Sequence, residues 1–272
     1  SAKNLRFYAE KAEEFMTGRE LPAAAVGASR AYTRYEPIGA ILAVMPWNYP
    51  LWQVIRFAAP ALMAGNTVLL KHASNVPQSA LYLDELFERG GFPAGSFNTL
   101  LIGAAKVEGV LRDRRVVAAT LTGSEPAGRS VAAIAGSEVK PVVLELGGSD
   151  PFIVLPSADL PKAVATAVTA RTRHNGQPCI HAPRFIVHAD VYDAFVEQFS
   201  AAMAALRVGD PLDEATDLGP VATESGRAEV DEVIESYKAI GVDHIVALRG
   251  DPPGASGIGG AYQPRADGYA NA

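Results

Sequence analysis

A chain of 272 residues, 49% of them hydrophobic and 20% charged, holds enough apolar material for one large domain or two modest ones. Its net charge of -6 argues against nucleic acid as the main partner, because phosphate binding needs a basic surface, and no apolar run reaches the ~18–20 residues of a bilayer span. The single cysteine excludes an internal disulfide and fits a reducing cytosol. Residues 1–4 lack the apolar core of a secretory signal and an initiating methionine, and read as a chain cut within a domain.

Helical spacing of apolar residues predicts a helix over 5–15, followed by a polar stretch over 17–35. From there short β-rich runs at 39–46, 67–71, 97–102, 116–121 and 142–146 alternate with helical stretches at 51–64, 78–89, 105–113 and 126–135. Such alternation with short connections predicts an α/β fold built on a parallel sheet with covered faces. Beyond Pro151 the pattern continues with a strand (152–155), a helix (160–173), a loop bearing Cys179, a strand (184–188) and a helix (191–206). One more helix–strand unit follows at 228–240 and 244–249, and the Gly/Pro-rich stretch 252–272 reads as loop or disorder.

The glycine fingerprint GxGxxG does not follow any of these strands. Instead the strand ending at Leu121 runs into Thr122-Gly123-Ser124-Glu125-Pro126, a glycine turn and a helix start whose backbone N–H groups suit a diphosphate. A plain capped helix after a strand reads the same way. Three other segments leave predicted strands: Pro46-Trp47-Asn48-Tyr49-Pro50, Lys71-His72-Ala73-Ser74 and Glu145-Leu146-Gly147-Gly148. In an open α/β sheet, ligands bind beyond the carboxyl ends of strands. A fourth segment, Asn175-Gly176-Gln177-Pro178-Cys179, follows a helix. A cysteine thiolate attacks a carbonyl, an asparagine amide and a backbone N–H can hold the resulting oxyanion, and a carboxylate can activate water against a thioester. Spacing alone does not assemble Cys, Asn and Glu into one site.

The segments PWNYP, TGS, ELGGSDPF and GQPC, in this order, resemble the aldehyde dehydrogenase superfamily, from about residue 5 to residue 228. The resemblance implies a Rossmann-type dinucleotide-binding domain over 1–146 and an incomplete α/β catalytic domain over 147–227. It implies Cys179 as nucleophile, Glu145 as the base for the deacylating water, and Asn48 as oxyanion donor beside the Cys179 N–H. Lys71 would hold the adenosine ribose, Gly123 and Ser124 would open the helix facing the diphosphate, and Trp47, Ser74 and Gly147 would lie on the cofactor side. Ser74 stands where NAD-preferring members often carry a glutamate, so either NAD or NADP is admitted. Arg56, eight residues after Asn48, and Arg173, six before Cys179, match arginines that hold the distal carboxylate in succinate-semialdehyde dehydrogenases. The expected substrate is therefore a short aldehyde carrying a carboxylate, with no nucleic-acid or membrane partner. Intact family members oligomerise.

Several features depart from the family pattern. Pro178 precedes the cysteine and Pro183 follows it, removing backbone donors and restricting their neighbours. The family's first helices and much of its catalytic domain are expected to be absent, so little turnover is expected of these 272 residues alone. The tail over 228–272 is expected to be foreign, because 244–253 is similar to the flavin-site strand of methylenetetrahydrofolate reductases. Two alternatives stay open: a nucleotide-binding fragment without turnover, and a cysteine esterase needing no cofactor. His72, His174 and His181 lack metal-ligand spacing and read as polar loop residues.

Overall fold

The computed structural model of the protein describes residues 1–240; the expected strand 244–249 and the stretch 252–272 lie outside the described residues. Two compact units divide the chain, Ser1–Gly147 and Gly148–Ala272. Among the described residues no helix is long and apolar enough to cross a membrane.

The first unit begins with α1 (Ala2–Met16), then a two-residue antiparallel ribbon, β1 (Glu20–Leu21) with β2 (Ala31–Tyr32), inside the polar stretch 17–35. Strands and helices then alternate as β3 (Ala40–Met45), α2 (Trp52–Met63), β4 (Thr67–His72), α3 (Pro77–Arg89), β5 (Phe97–Thr99), α4 (Val107–Arg112), β6 (Val116–Thr122), α5 (Glu125–Ser137) and β7 (Val142–Glu145). Strands β3 to β7 form one wholly parallel sheet in the order β5-β4-β3-β6-β7, the α/β arrangement the alternation predicts.

A central parallel strand is covered on both faces and so needs apolar residues at consecutive positions. The central strand β3 meets that need: Leu42 and Ala43 are both fully buried, and each belongs to a different core. One core packs Val54, Ile55, Leu83 and Phe87 of α2 and α3 on Ala43, Val68 and Leu70, with Leu5 of α1 against it. The other packs Leu111 of α4 and Val131 and Ala135 of α5 on Leu42, Ala119 and Leu121. Gly65, at a φ of 84°, turns the chain out of α2 in the left-handed region where glycine is favoured. Beside it the Asn66 Oδ1 accepts from Ile38 N at 2.8 Å and Gly39 N at 3.2 Å, which ties the entry of β4 to that of β3. Strand β5 is shorter than the run over 97–102 predicts: Leu100 N makes a last bond to Leu70 O at 2.7 Å, after which the chain leaves the sheet, and Leu101 is 62% exposed.

The second unit pairs β8 (Pro151–Val154) with β9 (Arg184–Val187) in parallel, joined through α6 (Leu160–Thr172). That helix and α7 (Ala189–Ala204) cover one face, where Val164, Ala167 and Phe195 meet Phe152, Val154 and Phe185. On the opposite face Ile153 is 60% exposed and Ile186 50%. Side chains cap the helices of this unit: Asp159 accepts from Lys162 N at 3.2 Å before α6, and Thr223 accepts from Gly226 N at 3.1 Å before α8 (Glu224–Ala239).

Candidate active site

Parallel strands deliver their carboxyl ends to one edge of a sheet, and adjacent strands deliver them side by side. The neighbours β4, β3, β6 and β7 therefore bring together Lys71 to Ser74, the loop 46–50, Gly123 with Ser124, and Glu145 to Gly147. Trp47, Asn48 and Lys71 are half-buried there, whereas Ser74, Ser124, Glu145 and Gly147 are exposed. Glu145 closes β7 opposite Thr122 of β6. Gly128 of α5 has no side chain to hold off Leu146; a Cβ there would lie 2.6 Å from Leu146 Cδ2, so the helix seats directly on the residue after Glu145.

Arg56 of α2 reaches toward the same two strands. Its Nη2 donates to Thr122 Oγ1 at 3.2 Å, and its Nη1 lies 3.7 Å from Glu145 Oε2. A cleft of about 400 Å³ opens at this point, lined by these three residues with apolar Met45, Phe57 and Val143. Arg56, expected to hold a substrate carboxylate, thus faces the protein's own carboxylate. At 3.7 Å the ion pair is too long for a hydrogen bond, and the side chains are 36% and 54% exposed. Such a pair contributes at most ~1 kcal/mol, so a better-placed anion can displace it.

The start of α5 fits an anionic dinucleotide, with one change to the expected roles. Gly123 N donates to Glu145 O at 3.0 Å, so this amide is committed to the sheet and not to a phosphate. Ser124 is the exposed N-cap, Pro126 stands in the first turn, and the helix's opening amides have no intrahelical acceptor. Glu125 would repel an anion there, but its carboxylate is turned to Arg129, at 2.5 Å from Nη2 and 2.9 Å from Nε. Half-buried Lys71 supplies a cation on the same sheet edge.

His72 is not a loop residue. It ends β4 facing inward, with 5% of its surface exposed. The strand's alternation carries the signal, since Val68, Leu70 and His72 are the buried positions. The ring lies between main-chain groups: Nε2 is 2.9 Å from Pro50 O, and Nδ1 is 2.9 Å from Ala73 N and 3.2 Å from Met45 O. Burial, above all, lowers the imidazole pKa from its ordinary 6.5, with Lys71 adding to that direction against the two carbonyls.

In the second unit Cys179 follows the tight turn Arg173–Gly176, where His174, Asn175 and Gly176 adopt left-handed φ values of 49°, 58° and 71° in succession. Asparagine and glycine accept that region readily, histidine less so, and side-chain bonds hold the turn in place. Asn175 Nδ2 donates to Pro220 O at 2.9 Å while its Oδ1 accepts from Gly219 N at 3.1 Å. Gln177 Oε1 accepts from Ala222 N at 3.0 Å. Pro178, the residue expected to remove a donor and restrict its neighbour before the cysteine, is fully buried, and its carbonyl accepts from His181 N at 3.3 Å. Cys179 beside it is a free, exposed thiol. Arg173 is exposed at the start of the turn.

The structure thus gathers Trp47, Asn48, Lys71, Gly123, Ser124 and Glu145 along one edge of the first unit and adds Arg56 and Thr122 beside Glu145. Cys179 and Arg173 share one loop of the second unit. Asn175 and Gln177, inside the cysteine motif, had no role assigned from sequence; their polar side chains on either side of Gly176 were the available signal.

The description "Aldehyde dehydrogenase family" matches residues 1–264. That match takes in most of the segment 228–272, and the comparisons lend no support to the expected reductase-like tail. A Mycobacterium leprae protein named succinate-semialdehyde dehydrogenase, NADP(+), is 65% identical over 254 residues, covering 93% of this chain and 56% of the relative. A Mycobacterium tuberculosis protein named succinate-semialdehyde dehydrogenase, NADP(+), 1, is 67% identical over 240 residues, covering 88% of this chain and 52% of the relative. A solved structure of succinic semialdehyde dehydrogenase from Streptococcus pyogenes, in complex with NADP+, matches with a TM-score of 0.83 at 38% identity, over 88% of this chain and 52% of that one. The chain spans about half the length of the curated relatives it matches.

Proposed function

The chain belongs to the aldehyde dehydrogenase family, and on that premise we propose that it carries the nucleophile, the base and the oxyanion donor for oxidising succinate semialdehyde, or a similar short carboxylated aldehyde, to the acid with NADP+. The observation that supports this most is the convergence of Asn48, Lys71, the α5 start and Glu145 on one sheet edge. The relatives' names specify the same substrate and NADP(+). Ser74, exposed just past Lys71, offers no carboxylate to repel a 2′-phosphate.

In this reading the Cys179 thiolate forms a bond to the aldehyde carbon. The carbonyl oxygen gains the charge, and the Asn48 side-chain amide and the Cys179 N–H donate to it. A bound dinucleotide would supply the hydride acceptor for oxidation of the adduct to a thioester. Glu145 then takes a proton from water as its oxygen attacks the thioester carbon, and the Cys179 thiolate leaves. Lys71 and the first amides of α5 would hold the ribose and diphosphate.

The test joins this segment to the remainder of the M. tuberculosis relative and follows absorbance at 340 nm with succinate semialdehyde and NADP+. Sustained NADPH formation is expected; its absence with every short aldehyde sinks the reading. In that graft Asn48→Ala is expected to slow the first turnover by ~10²–10³-fold, the usual loss for one oxyanion donor, as read by rapid mixing. Arg56→Ala and Arg173→Ala are expected to weaken kcat/KM for succinate semialdehyde far more than for butanal, since only the former offers a carboxylate to a guanidinium. Equal losses on both aldehydes would instead show that Arg56 serves Glu145, its partner at 3.7 Å.

A further inference from the structure

The buried ring of His72 faces two of the segments just assigned. Pro50 O can only accept, and Ala73 N–H can only donate. With Pro50 O 2.9 Å from Nε2 and Ala73 N 2.9 Å from Nδ1, a single arrangement satisfies both: the proton on Nε2, the lone pair on Nδ1. The other tautomer would set bare Nε2 against a carbonyl and an N–H against an N–H. A protonated ring would gain Met45 O, at 3.2 Å, but would strand the half-buried Ala73 amide.

We propose that His72, as the neutral Nε2–H imidazole, is a positioning residue that fixes the Asn48 loop to the end of the strand bearing Lys71. Its ring bridges Pro50, two residues after Asn48, and Ala73, two residues after Lys71. The loop 46–50 begins and ends in proline, and neither proline has an N–H with which to anchor it. The bond at Pro50 O comes from the ring, and it sets the register in which Asn48 enters the site. The inference rests on the roles proposed above for Asn48 and Lys71.

Two substitutions divide the ring's two bonds. Glutamine places an N–H donor where Nε2 stands and keeps the Pro50 side; asparagine places an acceptor where Nδ1 stands, keeps the Ala73 side, and is too short to reach Pro50. In the 272-residue chain, nitrogen NMR of the labelled imidazole is expected to show the proton on Nε2. Amide hydrogen exchange at Trp47, Asn48 and Tyr49 is expected to run about tenfold faster in His72→Asn than in His72→Gln, the loss of one hydrogen bond of ~1.4 kcal/mol. Amides of Leu42 and Leu121, in the sheet core, are expected to stay protected in both variants. In the graft, His72→Asn is expected to lower kcat with KM for the aldehyde unchanged, and His72→Gln to restore it. A proton on Nδ1, equal exchange in the two variants, or looser exchange with undiminished kcat would each overturn the assignment. A graft that makes no NADPH even with His72 intact would fail the aldehyde reading alone, and the ring and exchange results would decide the positioning role by themselves.

Discussion

In the graft carrying Cys179→Ala, NADPH formation from any aldehyde is expected to fall to background while NADP+ still binds. The two outcomes separate because the thiol belongs to one unit and the assigned cofactor contacts to the other. Alanine removes the atom proposed to form the covalent bond and leaves an exposed position otherwise unchanged, so loss of activity cannot be laid to a collapsed core. In the 272-residue chain, iodoacetamide labelling of its single thiol should disappear with the same substitution. Turnover that persists in Cys179→Ala, checked by stopped-flow absorbance and by calorimetric titration of NADP+, would assign the chemistry elsewhere.

Glu145→Gln is expected to act later in the cycle. Acylation of the thiol does not need the water-activating base to the same degree, so each site should release one NADPH in a burst and then stall as the thioester. Glutamine keeps the shape of the side chain and ends only its weak ion pair with Arg56, at 3.7 Å in partly open surroundings. The loss in stability is then below ~1 kcal/mol, and a fall in melting temperature cannot explain the stall. Mass spectrometry of the quenched protein should find the acyl group on Cys179. Linear NADPH formation without a burst would show that Glu145 does not carry deacylation.

The first unit was legible because its strands are nearly continuous apolar runs punctuated by turn residues. Strand β3, buried on both faces, and β6 are where the hydrophobic signal is strongest, and both lie within a residue of the expected bounds. Strand β5 was overextended because Leu100 to Ile102 look like strand, yet nothing in their composition says that the chain leaves the sheet after Leu100. The ribbon of β1 and β2 is too short for any periodicity to register. The edge carrying Asn48, Lys71 and Glu145 follows from strand order, which periodicity could not supply; family likeness supplied only the roles of the three residues. Arg56 was read only for an absent substrate; its contact with Thr122 and Glu145 joins residues distant in the chain and has no local trace. His72 was misread because its neighbours Lys71 and Ala73 suggested an exit loop, although the alternate burial of Val68 and Leu70 already pointed it inward. The left-handed turn before Cys179 is foreshadowed by Asn175 and Gly176, but His174 at a φ of 49° is not.

Strand β7 pairs with β6 and with no other strand among the described residues, so Glu145 stands on the rim of the sheet. In a parallel ladder the N–H and C=O of one residue point the same way, and those of the next residue point oppositely. The bonds from Ala119 N to Pro141 O and from Gly123 N to Glu145 O turn the main-chain groups of Pro141, Val143 and Glu145 toward β6. Those of Val142 and Leu144 then point outward. A two-beat rhythm of solvent exchange should run along β7, rapid at Val142 and Leu144 and slow at Val143 and Glu145. The carboxylate on this strand is steadied from one side only, by a zipper whose teeth alternate.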